Sequence, residues 1–148
     1  MVHALEEIRR LLTPEGKLID IHPVPTDPVI QAVQSGKVLF AEASPDHDHH
    51  EEEQAEDALA QVVRRGLFFI ERSGEFDLLT YGSSVAELLN FMAEVNAFHE
   101  GGPKDEAVTM QEEELYTRVE EIVHAARGRA EVAYLERGRI IRLRPMRS

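Results

Sequence analysis

The run Asp46-His47-Asp48-His49-His50-Glu51-Glu52-Glu53 gathers three imidazoles and five carboxylates. Neutral imidazole and carboxylate are ligands for zinc, nickel, copper or manganese. The candidate metal ligands are His47, His49 and His50. Specific metal sites draw ligands from separate elements and orient them with further hydrogen bonds. A contiguous run lacks that rigidity and would hold metal as loosely as a histidine tag does. The competing reading is an acidic loop with no metal.

Asp20 and His22 form the second candidate. They lie two residues apart on and just after a short strand-like segment, Leu18–Ile21, which Pro23, Pro25 and Pro28 close. Period two puts both side chains on one face of a strand. An imidazole beside a carboxylate is suited to acid–base catalysis. Ligands also collect outside the carboxyl ends of strands in open α/β sheets. On this reading the chain is a small-ligand-binding or enzymatic α+β domain with a pocket near Asp20 and His22. The competing reading is a hydrogen-bonded structural pair. His99, His124 and their neighbours have no partner visible in the sequence.

Other chemistries lack their residues. The nine glycines form no G-x-G-x-x-G and no G-x-x-x-x-G-K, so no loop of that kind cradles a phosphate. No G-x-S-x-G occurs. There is no cysteine, which excludes disulfides, thiolate nucleophiles and cysteine zinc sites.

The elements that must position these residues follow from periodicity. Ala4, Leu5, Ile8, Leu11 and Leu12 mark one helix face, ended by Pro14 and Gly16. Val29–Val33 and Lys37–Glu42 read as a hairpin around Gln34-Ser35-Gly36. A helix carries Ala55, Ala58, Leu59, Val62 and Val63 and stops near Gly66. Leu67–Arg72 and Glu75–Tyr81 are strand-like, and Ser73-Gly74 permits either a hairpin or one long strand. Ser84 and Glu87 make a capping box for a helix with Leu88, Leu89, Met92 and Val95. Thr109 and Glu112 make another, for a helix with Leu115, Val119, Ile122, Val123 and Ala126. Ala130–Leu135 and Arg139–Leu143 are again a strand pair or one bent strand. The expected fold is α+β: a small mixed, largely antiparallel sheet with hairpins, covered by three to four helices.

The chain has 148 residues and a net charge of -12. That length fits a single domain, residues 1–148. Within it, 1–28 is a helix–strand unit, 29–54 a hairpin and acidic loop, and 55–148 the remaining helices and strands. The acidity argues against a nucleic-acid partner. No apolar run is long enough to span a membrane, and the first residues are not a signal peptide. The expectation is a cytoplasmic protein. The charge is uneven. Glu42–Asp57 holds eight carboxylates, and the tail from Arg137 holds five arginines. The two can pair, or each can form a solvated face.

Residues 4–21, ALEEIRRLLTPEGKLIDI, resemble a segment of class I S-adenosylmethionine-dependent methyltransferases. That family carries E-x-x-R-[VL]-L-x-P-G-G before its fifth strand. Glu7, Arg10, Leu12, Pro14 and Gly16 match, and Glu15 replaces the first glycine. The helix from Ala55, the strand from Leu67, the helix from Ser84 and the final strand then correspond to the elements after strand five. The family binds its cofactor with the N-terminal half, which has no counterpart here. The resemblance therefore implies a non-catalytic methyltransferase-like domain with no cofactor site, and S-adenosylmethionine only if a partner supplies the missing half. It also leaves Leu18–Ile21 with an unpaired edge. The hairpin Val29–Glu42, a second copy, or a separately encoded methyltransferase half would cover it. A homodimer is the expected solution.

Overall fold

A computed structural model describes residues 1–45, 48–97 and 104–146. The elements run α1 (Val2–Leu11), β1 (Leu18–Pro23), β2 (Val29–Gln34), β3 (Lys37–Ala43), α2 (His50–Arg64), β4 (Phe68–Gly82), α3 (Val85–Val95), α4 (Glu106–Ala125) and β5 (Glu131–Pro145). Among the described residues the fold is α+β, with an open five-stranded antiparallel sheet and four helices. The strand order is β1-β5-β2-β3, with β4 also paired to β5. Strand β5 pairs β2 through Glu131–Leu135 and β1 through Gly138–Leu143.

Local chemistry explains most boundaries. Leu12 has left the helix at φ -65 and ψ 138, and Pro14 follows. The β2–β3 hairpin turns through Ser35 at φ 50 and Gly36 at φ 76. Two positive φ values in succession twist the turn in the sense of the flanking strands. Strands β4 and β5 each run 15 residues, so Ser73-Gly74 and Arg137-Gly138 lie inside long strands and close no hairpins. At Gly138 a β-carbon would run into the Phe76 ring, which covers the bare backbone there.

Two starts differ from the sequence expectation. Helix α2 begins at His50, five residues before Ala55, so part of the expected acidic loop is helical. Glu51, Glu52 and Glu53 occupy its first turn, where the helix dipole favours negative charge. Helix α4 begins at Glu106, and its cap is Asp105, whose Oδ1 accepts from Ala107 N at 3.0 Å. Thr109 is inside this helix, with Oγ1 donating back to the Asp105 carbonyl at 3.1 Å. An aspartate one turn earlier satisfies the free N–H groups first.

The Ser84 cap forms as expected, since Ser84 Oγ accepts from Glu87 N at 3.1 Å. The returning arm shifts by one residue: Glu87 Oε2 accepts from Ser83 N and Ser83 Oγ, both at 2.6 Å. These bonds hold the Glu87 carboxyl below its usual range. Ser84→Ala should cost about 1 kcal/mol. A urea titration would show this as a lower midpoint at unchanged slope.

The chain divides into two compact units. One comprises Met1–Thr26, Asp48–Asp77 and Arg137–Ser148; the other comprises Asp27–His47 and Leu78–Glu136. In the first, α1 and α2 bury Leu5, Ala58, Leu59 and Val62 against Phe68, Ile141 and Leu143. In the second, Val85, Leu88, Leu115, Val119 and Val123 of α3 and α4 close over Ile30, Ala32, Val132 and Tyr134. Among the described residues no helix is long and apolar enough to cross a membrane.

Candidate functional site

Strand β1 alternates as its period requires. Asp20 stands opposite Ile141 and His22 opposite Arg139, so both share the face on which Leu18 meets buried Leu143. That face lies under α2, which brings Glu56 to the same place. His22 Nδ1 is 2.5 Å from Asp20 Oδ2, and His22 Nε2 is 3.0 Å from Glu56 Oε1. Arg139 Nη1 donates to the same Glu56 oxygen at 2.5 Å, and Arg139 Nη2 donates to Glu75 Oε1 at 2.8 Å. The His22 side chain is only 8% exposed, against 17% for Asp20 and 27% for Glu56.

The result is a line of alternating charge, Asp20–His22–Glu56–Arg139–Glu75, joining β1, α2, β5 and β4. Burial alone would lower the His22 pKa. The hydrogen bonds to Glu56 and Asp20, and the charges of both, outweigh burial and raise it. His22 is thus held as imidazolium to higher pH than a free histidine. Arg139 holds the Glu75 carboxyl below its usual range, and Glu75 in turn holds the Arg139 guanidinium charged.

This geometry bears on what His22 can do. A general base needs one ring nitrogen free to face a substrate. Here both nitrogens face carboxylates of the chain. The arrangement locks four elements together and leaves no imidazole nitrogen open.

No protein family, curated protein or solved structure matches this chain.

A cavity of about 490 Å³ lies beside the network, between α2 and strands β4 and β5. Leu59, Val63, Ile70 and Ile141 line it, with Glu56 and Arg139 at one side.

The histidine run is placed only in part. Asp46 and His47 lie outside the described residues. Asp48 Oδ1 accepts from His50 N at 3.0 Å, and the His50 ring is 2.8 Å from the Gln54 amide nitrogen. His49 precedes α2 as its cap residue. Among the described residues no three His, Asp or Glu groups are gathered to hold a metal ion. His99 lies outside the described residues, and His124 is exposed in the last turn of α4.

Sequence reasoning found Asp20 and His22 but missed Glu56, Glu75 and Arg139. The signal was the uneven charge: Glu56 belongs to the acidic stretch and Arg139 to the basic tail. Among the described residues that pairing is seen between Glu56 and Arg139. Three other tail arginines meet β4: Arg137 is 3.4 Å from Asp77, and Arg142 and Arg144 are each 2.9 Å from Glu71.

Proposed function

We propose that this chain is a non-catalytic, methyltransferase-like assembly domain that dimerises along β1. The carrying observation is that β1 ends the sheet. Its only strand partner among the described residues is β5. Strand β2 of the hairpin pairs β3 and β5. An open edge offers unpaired backbone N–H and C=O groups. On the face away from α2, Ile19 is 50% exposed and Ile21 is 62% exposed, with Ile140 opposite Ile21. Two identical strands meeting antiparallel present the same row to each other, as a two-fold interface requires.

The non-catalytic part is supported by the occupied imidazole nitrogens of His22. The methyltransferase likeness is supported by the order α2, β4, α3 and, after the additional helix α4, β5, and by the antiparallel seating of β5 on β1.

Light scattering at micromolar concentration should give twice the chain mass of 16.7 kDa. Ile19→Lys with Ile21→Lys places charge on the edge and should give a monomer with an unchanged circular dichroism spectrum. A wild-type monomer would sink the dimer. Calorimetry with S-adenosylmethionine should give no saturable heat, and saturable binding would refute the non-catalytic reading.

A further inference from the structure

Glu71 of β4 is surrounded by three cations. Lys17 Nζ is 3.3 Å from Glu71 Oε2, Arg142 Nε is 2.9 Å from the same oxygen, and Arg144 Nε is 2.9 Å from Glu71 Oε1. Glu71 is 13% exposed, while the three cations are 37%, 44% and 41% exposed. Burial would raise the Glu71 pKa, but Lys17, Arg144 and Arg142 lower it instead. The carboxylate therefore stays ionised, and it neutralises only one of the three charges.

That surplus is unusual in a chain of net charge -12. Two guanidiniums repel each other when held side by side. Each approaches Glu71 through Nε, the nitrogen nearest the chain. The terminal nitrogens of Arg142 and Arg144 have no carboxylate partner of their own among the described residues. Those nitrogens form the fork that matches phosphate oxygens. Apolar groups flank the cluster. The Arg144 guanidinium carbon sits 5.9 Å from the Phe69 ring centre, and Phe69 is 39% exposed. Ile19, half exposed, stands opposite Arg142 across the β1–β5 pairing.

We propose that Lys17, Arg142 and Arg144, held by Glu71, form a binding site for a small phosphate monoester with an apolar body. The dianion takes up the two unneutralised charges, and its body lies on Phe69 and Ile19. A single carboxylate would leave one charge over. Glu71 is a positioning residue that gathers both guanidiniums by charge, since its Oε2 and the Arg144 Nε make no hydrogen bond.

Phenyl phosphate, inorganic phosphate and phenol would be titrated into the full chain by calorimetry. Phenyl phosphate should bind at one per chain, tighter than inorganic phosphate, and phenol should not bind. Arg142→Lys with Arg144→Lys keeps the charge but removes the forks, and should weaken binding about tenfold or more. Circular dichroism melting would show that this variant folds. Glu71→Gln is the decisive arm. It makes the patch more positive but releases the arginines, so binding should weaken. Tighter binding by Glu71→Gln would reduce the site to unshaped positive charge and overturn the proposal. So would no saturable binding of phenyl phosphate, or equal affinity for phenyl phosphate and inorganic phosphate.

Discussion

Replacing His22 by alanine is expected to destabilise the fold by about 3 kcal/mol, the low end of what breaking a buried ion pair costs. The imidazolium stands between two carboxylates, at 2.5 Å from Asp20 and 3.0 Å from Glu56. Without it, Asp20 loses its side-chain partner and Glu56 keeps only Arg139. Asp20 and Glu56 retain some water, which is why the low end applies. For a chain of this size the loss corresponds to a fall in Tm of about 6–12 °C. Urea unfolding would show a lower midpoint at unchanged slope. His22→Gln can donate to one carboxylate only and should fall between wild type and alanine. A change below about 0.5 kcal/mol would mean that the network holds nothing together.

The same residue sets a pH limb. The His22 pKa is raised in the fold above its ordinary value of 6.5. A raised value means that the folded state binds the proton more tightly than the unfolded chain does. The stabilisation is therefore complete below about pH 6.5 and is lost as pH rises through the folded value. Once neutral, the ring can donate from one nitrogen only, and either Asp20 or Glu56 loses its hydrogen bond. The groups facing the ring are Asp20 on β1 and Glu56 on α2, with Arg139 and Glu75 one step further along. The wild-type urea midpoint should fall from pH 6.5 upward, and His22→Ala should lack that fall.

The fold was largely legible because its signals are local. Helix faces such as Leu5–Ile8–Leu12, the Ser35-Gly36 turn and the Ser84 cap each lie within a few residues. The two long strands were ambiguous for a physical reason. A glycine inside a strand and a glycine in a turn look alike until a partner strand is known, and here Phe76 packs over Gly138. Thr109 misled because a threonine with Glu three residues on suits a cap as well as a helix interior. The site was half legible. Period two joins Asp20 to His22 within one strand. Glu56 and Arg139 arrive from 34 residues and more away, brought in by the packing of α2 on the sheet and by the β1–β5 register. The Glu71 cluster was hidden likewise, since its cations come from the turn before β1 and from β5.

Phe68→Ala is expected to cost more than any other single change considered, about 3–5 kcal/mol. Phe68 has no exposed surface and packs among Leu5, Leu59, Val62, Ile141 and Leu143. Alanine there removes the apolar contact and leaves a cavity that two helices and two strands cannot fully close. Against a total stability of about 5–15 kcal/mol, that is a large fraction. The neighbouring residue is the control. Phe69 is 39% exposed and faces the Arg144 guanidinium, so Phe69→Ala should cost about 1 kcal/mol or less. Two phenylalanines one residue apart thus separate the two faces of β4. A register slip of one residue would exchange them, because successive side chains point to opposite faces. Equal effects, or a larger effect at Phe69, would place the wrong face of β4 against α1 and α2. It would also move Glu71 off the outer face and take the arginine cluster with it.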